Sequence, residues 1–428
     1  MRMDKNMDFD AIVVGSGPGG ATVARELTRQ GKRVLILERG SNAPIKGTML
    51  QSAGMALGPG RSLLFTQEML AIVRVITVGG SSVMAYATAF EPSYEAFLSH
   101  GVDLKGEVEE AKRELPIAPL ADDLIGPAAV RIMTSAKDLG LPWSKLPKIV
   151  YQDKCRAGCD KCTMGCPYEA KWTSRIYVEE ACAQGSVLLP KAYVEKLEAI
   201  DHRIGRVHFS IAGEHHEASA PIVVLAAGGI GTPLLLRAAG ISNAGYDFFF
   251  DPLIVITGTV DGMDGGKEFP MSAGLRDDSE GYLISDLVWP EWIYMMFTAQ
   301  VLRVDRLGAH RRSLPIMVKV KDELGGHISP RGGVRKRLSQ VDRNRLNNGS
   351  QVARRILENA GARHILSTWF MAVHPGGTAK IGEVVDSDLK TKFDNLYVCD
   401  ASVIPMAWGL PPTLTLIALG KRLAKHLA

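Results

Sequence analysis

Cysteine is scarce in this chain, no apolar run is long, and the charges nearly cancel; each shortage excludes something. Four of the six cysteines lie between Cys155 and Cys166, which argues against a framework of long-range disulfides and for a local metal site. Residues 1–8 are polar and charged, and the apolar run that follows is broken at Gly15, so neither a secretory leader nor a spanning helix is expected there. This reading places the protein in the cytosol, with membrane association only through a partner subunit. Fifty basic against forty-six acidic residues give a formal net charge of +4, too small and too dispersed to indicate nucleic acid as a partner. There is no internal repeat and no low-complexity tract. What is left is a globular chain of 428 residues, 46% hydrophobic, long enough for two or three structural units.

Glycine, by contrast, is placed with purpose. Residues 9–14 are apolar and β-branched, Gly15-Ser16-Gly17-Pro18-Gly19-Gly20 follows, and a helical pattern runs over 21–30. A second strand over 34–37 ends at Glu38, so the unit reads as βαβ. Gly15 permits the tight turn, Gly17 lets backbone approach a pyrophosphate, and Gly20 allows close helix packing. The helix N-terminus, opened by Pro18, favours negative charge. Glu38, with Arg39 beside it, is placed to meet a ribose. A turn of this kind serves FAD and NAD alike.

Further on, residues 44–61 read as a loop over the cofactor, 91–124 as polar and partly helical, and 141–147 as a linker into the cysteine segment. Residues 222–226 are a buried strand leading into Ala227-Gly228-Gly229 and an apolar helix. A β-rich stretch covers roughly 248–320, a short strand over 395–398 ends at Asp400, and 413–427 is an amphipathic helix.

Four separated segments together resemble the glucose-methanol-choline (GMC) oxidoreductases. They are the βαβ unit, Val78-Gly79-Gly80-Ser81-Ser82-Val83, Leu225-Ala226-Ala227-Gly228 through Leu236, and the block from His374-Pro375-Gly376-Gly377-Thr378 through Asp400-Ala401-Ser402 to Pro412-Thr413-Leu414-Thr415. The resemblance implies an α/β fold, α+β overall: a Rossmann-type FAD-binding domain assembled from discontinuous segments, plus a β-rich substrate domain. It divides the chain into 1–90 (FAD-binding, first part), 91–190 (an insertion with the cysteine cluster), 191–246 (FAD-binding, second part), 247–372 (substrate domain) and 373–428 (FAD-binding, last part). The cofactor implied is FAD. Its expected contacts are Gly15, Gly17, Pro18, Gly20, Glu38 and Arg39; Gly79, Gly80, Ser81 and Ser82; Ala227; and Asp400, Ala401, Pro412 and Thr413. Asp400 reads either as a contact to the flavin's ribityl or pyrophosphate portion or as a helix cap.

Removing hydride from an alcohol carbon requires the hydroxyl proton to leave as well, and a histidine near neutral pKa suits that task. His374 is the candidate base, by its place in the last block. Two positions depart from the family pattern: Met84 stands where asparagine is usual, and Pro411 where a second histidine or asparagine helps orient the substrate oxygen. A proline side chain has neither donor nor acceptor.

Cys155, Cys159, Cys162 and Cys166, with Pro167 after them, have the spacing C-x3-C-x2-C-x3-C-P. Bacterial ferredoxins use a near match to hold an iron-sulfur cluster, whereas structural zinc takes cysteine pairs further apart. Four thiolates suit a 4Fe-4S cluster better than a 3Fe-4S one; free or disulfide-bonded thiols and zinc stay open as alternatives. The function expected is an FAD-dependent alcohol dehydrogenase acting on a small-molecule alcohol, passing electrons through the cluster to a redox protein or quinone rather than to oxygen. The alternatives are a reductase run in the opposite direction and an electron-transfer subunit without its own catalysis.

Overall fold

A computed structural model describes residues 8–428. The elements that position the site are, in chain order, β1 (Ala11–Val14), α1 (Pro18–Arg29), β2 (Val34–Glu38), α2 (Met49–Ala56), α3 (Pro127–Asp138), β3 (Val187–Pro190), β4 (Ile222–Leu225) and α4 (Gly228–Ala238). They continue with β5 (Pro252–Thr259), β6 (Tyr282–Asp286), α5 (Glu291–Gln300), β7 (Ser313–Val320), α6 (Gln340–Asn359), β8 (Leu396–Val398) and α7 (Thr413–His426).

Five strands form a parallel sheet in the order β8-β4-β1-β2-β3. A parallel sheet is covered on both faces, which is why these strands are short uninterrupted apolar runs without alternation. Ile12, Val13, Leu35, Ile36, Val223 and Val224 are all buried. Helices α1 and α7 pack together closely; a Cβ on Gly420 would come within 2.7 Å of the Thr22 Cβ, so glycine sets the approach. Lys421 on α7 is buried and bonds Glu110 at 2.7 Å, Glu114 at 2.9 Å and Glu26 at 3.1 Å.

The second sheet has nine strands, with β5, β7 and β6 antiparallel near its centre. Strands at Leu63–Phe65, Ala71–Val73 and Ser144–Lys145, from spans that the sequence reading gave to the FAD-binding part and the insertion, also belong to this sheet. Side chains alternate across a strand. Ile254, Ile256, Ile316 and Val318 accordingly join the cluster under α3 and α6, whereas Leu253 and Met317 face the other way and line a cavity. The stretch at 44–61 is not wholly loop: Thr48 accepts from the Gln51 amide and starts α2, whose Ser52, Met55 and Ala56 are buried. Glycine and small residues concealed that helix, because packing and a cap outweigh weak propensity. Among the described residues no helix is long and apolar enough to cross a membrane.

Candidate active site

A cavity of about 790 Å³ opens where the carboxyl ends of the parallel strands meet the large sheet. Gly15, Gly17, Pro18, Glu38 and Arg39 line it, as do Gly80, Ser81, Ser82, Ala227 and, from the C-terminal segment, His374, Asp400, Ala401, Pro412 and Thr413. Met84 and Pro411 are on the wall too. Two expected contacts stand behind it. A Cβ on Gly20 would lie 2.2 Å from the Gly15 carbonyl oxygen, so its role is helix packing, and the Gly79 amide donates to Ser16 Oγ at 3.0 Å.

Gly15 has φ +104° and touches the Ala226 backbone, a conformation and a closeness that only glycine allows. Gly17 is different: its φ is −65°, and an added Cβ would meet no atom within 4 Å. Nothing within the protein requires glycine there, so the open space it faces is the part of the cavity where a cofactor backbone fits. Helices α1 and α7 both begin at this wall with no side-chain cap, leaving amide donors and the positive dipole end for an anion. These features fit a dinucleotide such as FAD. Gly17→Ala is therefore expected to leave the apoprotein's thermal midpoint within about 2 °C of wild type while weakening FAD binding at least tenfold. Melting curves and flavin titration measure the two; equal losses in both would contradict this assignment.

Glu38 holds the glycine turn from below. Its Oε2 accepts from the Ser16 amide at 3.0 Å and Ser16 Oγ at 2.6 Å, and Oε1 accepts from the Gly40 amide at 2.6 Å. Burial pushes this carboxyl up, against the pull of those donors. Asp400 likewise accepts from Thr232 Oγ1 at 2.5 Å and from the amides of Gly228 and Ser402 at 2.8 Å, so it caps two helical turns while facing the cavity. Arg39 lies over the Tyr193 ring, 4.8 Å from its centroid.

The reactive corner is built where the two sheets meet. Gly376 and Gly377 are wedged between Phe249 and Ala401; a Cβ on Gly376 would fall 2.4 Å from the Phe249 ring and 2.6 Å from the Ala401 carbonyl oxygen. This fixes His374 on the wall, its side chain 23% exposed, with Nδ1 3.0 Å from Asp251 Oδ2. Asp251 is wholly buried, takes the Gly409 amide at 2.7 Å on Oδ1, and sits at φ +50°, a region aspartate tolerates. Lys319 Nζ is 3.5 Å from both Asp251 Oδ2 and His374 Nδ1, and it lines the cavity. Behind them Asp322 accepts the Asp251 amide at 2.9 Å and pairs with Lys336 at 2.5 Å. Burial first, then the charge of Lys319, holds the His374 imidazole below its ordinary pKa, although Asp251 pulls upward. Burial likewise brings Lys319 down to about 8 and Asp322 up to about 6. Trp289, Trp292, Ile293, Met296 and Phe297, on and before α5, give the cavity an apolar lining.

Asp251 and Lys319 escaped the sequence reading. One signal existed: Lys319 is the lone charge in Ser313–Val320, a strand buried along its whole length.

The cysteine cluster finds no support here. All four are free thiols on one loop, Cys162 and Cys166 buried and the other two partly so, and none lines the cavity. Among the described residues no three histidine, cysteine, aspartate or glutamate side chains come together as a metal-binding group. Cys162 is part of the apolar core, and burial pushes its thiol up to about 12 and that of Cys155 to about 11. An iron-sulfur cluster is therefore not supported, and no step of the chemistry is routed through one.

Comparison with known proteins agrees with the cavity's architecture. Two solved structures share the fold at TM-score 0.75 and 16% identity: pyridoxine 4-oxidase from Mesorbium loti, over 98% of this chain and 99% of that one, and a formate oxidase of Aspergillus oryzae, over 98% and 97%. A GMC-type oxidoreductase of Mycobacterium tuberculosis is 27% identical, over 97% of this chain and 75% of its own length. A long-chain-alcohol oxidase of Arabidopsis thaliana is 24% identical, over 96% of this chain and 65% of its own length. Models of the GMC oxidoreductase family match residues 9–254, which contain the glycine turn, and 326–420, which contain His374 and the start of α7. Since those two spans make up most of the chain and meet at one cavity, this protein belongs to the GMC oxidoreductases, flavin-dependent enzymes with a Rossmann-type FAD-binding fold.

Proposed function

We propose that this protein oxidises an alcohol, with FAD held along the glycine turn and His374 as the base. The observation that carries the reading is a cavity-wall histidine whose Nδ1 is engaged by a buried carboxylate. Bound FAD supplies a two-electron acceptor for hydride. Gly15, Gly17 and the starts of α1 and α7 would hold the phosphates and flavin, and Glu38 with Arg39 would meet the adenosine end. Nδ1–H donates to Asp251, which assigns the lone pair to Nε2, the nitrogen left for the substrate. Its lowered pKa keeps the imidazole neutral at pH 7, able to take the hydroxyl proton, and Asp251 then stabilises the imidazolium. Trp289, Trp292 and Phe297 keep water from the reacting carbon.

Under argon, adding primary alcohols to the FAD-loaded protein is expected to bleach its oxidised-flavin absorbance. Reduction by a low-potential donor but by no alcohol would overturn the proposal in favour of a reductase. The proposal includes delivery of electrons to an external redox protein or quinone. Turnover with a quinone analogue under argon, compared with turnover in air, checks that part. Nucleic acid has no place in it.

A further inference from the structure

We propose that Lys319 is a second catalytic residue of this site, its ammonium donating a hydrogen bond to the substrate oxygen while His374 takes that oxygen's proton. The inference rests on the alcohol-oxidation reading above. Its ground is how Lys319 differs from four other buried lysines. Lys171 is saturated by three carbonyls, of Ala85, Cys162 and Val83, at 2.5, 2.7 and 2.8 Å. Lys336 bonds Asp322 at 2.5 Å, the Glu323 carbonyl at 2.6 Å and the Phe248 carbonyl. Lys148 has two oxygens within 2.9 Å, and Lys421 three carboxylates within 3.1 Å.

Lys319 is 1% exposed, yet its contacts are two, both at 3.5 Å, and one of them is a histidine nitrogen whose hydrogen is already directed at Asp251. An ammonium has three donors, and leaving a buried one unmet is costly. Lys319 lines the cavity together with His374, so a spare donor is assigned to the substrate oxygen that reaches that histidine. Pro411, Pro375, Met371 and Met317, which also line the cavity, carry no side-chain donor.

The chemistry balances without altering Lys319. As the O–H bond breaks its proton passes to His374 Nε2, the C–H bond breaks with its electron pair leaving as hydride for the flavin, and a carbonyl forms. Negative charge on the oxygen grows only while proton transfer lags, and a fixed positive donor is worth most at that moment. The charged groups that face the ammonium are Asp251 on the turn before β5, Asp322 just beyond β7 and the His374 ring; Lys336 behind Asp322 neutralises that carboxylate. Burial brings Lys319 down to about 8, which leaves it protonated at pH 7.

The test uses the FAD-loaded protein and two readouts, single-turnover flavin reduction by an alcohol and binding of hexanoate followed by the flavin spectrum. Hexanoate cannot be oxidised, but it presents an anionic oxygen. Lys319→Met is expected to slow flavin reduction about a hundredfold, to weaken hexanoate about tenfold and to leave FAD content unchanged; Lys319→Gln, which keeps a donor, is expected to lie between. Wild-type reduction rates in Lys319→Met, or unchanged hexanoate affinity, overturn the proposal. Should the wild type be reduced by no alcohol, the alcohol reading falls separately. Hexanoate then decides for Lys319 alone: weaker binding in the methionine variant upholds it as the donor to oxygen, and equal binding rejects it.

Discussion

His374→Ala is expected to lower the rate of flavin reduction by alcohol about 10³-fold while the purified protein still carries a full complement of FAD. Proton abstraction by a positioned base contributes roughly 10² to 10⁴ in rate, and here no second base is at hand: Lys319 is a cation and Asp251 is sealed from the cavity by full burial. FAD retention should persist because the Pro375-Gly376-Gly377 backbone, locked between Phe249 and Ala401, is untouched. The wild-type rate should also rise with pH through the His374 titration, since only the neutral ring accepts a proton. That rise should lie to the acid side of the ordinary histidine value, because burial and Lys319 both disfavour the imidazolium. Rapid-mixing reduction across pH measures both effects. An alanine variant within tenfold of wild type, or one keeping the same acid limb, would refute His374 as the base.

Asp251→Asn should cost nearly as much, for a different reason. Asparagine has the same shape, but its amide can donate to Nδ1, which would move the ring hydrogen to Nε2 and turn the base into a donor. A wrong tautomer of this kind costs about 10⁴ in a serine protease triad, and a loss of about 10³ or more is expected here. Stability should fall too, since Lys319 loses the carboxylate that compensates it. Breaking a buried pair can cost about 3–5 kcal/mol, but Lys319 can escape part of that by releasing its proton, so a loss of about 2 kcal/mol is expected. Denaturant unfolding at pH 7 measures this, and flavin content should again be preserved. A variant with normal turnover would show that Asp251 supports the fold and nothing more.

The FAD-binding half of the cavity was readable because its signals are local. Positive φ at Gly15, open space at Gly17 and a helix opening at Pro18 belong to a short run of residues, and an acid at a strand end is found by counting. His374 stood out only through the glycines after it. Its partners did not, because they come from elsewhere: antiparallel pairing sets Leu253 opposite Lys319, and a left-handed turn at Asp251 then points a carboxylate at both Lys319 and His374. A residue's neighbours across a sheet depend on register, and no short window of sequence contains that register.

The cysteine loop shows the same divide from the other side. Regular spacing places four thiols near each other along the chain, but what surrounds each is set by the fold: Cys162 is part of the apolar core, and Lys171 donates to its carbonyl. Composition, the glycine turn and the apolar strands were enough to establish an α/β dinucleotide-binding protein, since backbone sterics and hydrophobic periodicity act over a few residues. Which charges stand beside His374, and how deeply each thiol is buried, were settled by folding, because electrostatic strength depends on burial and on contacts between segments far apart in the chain.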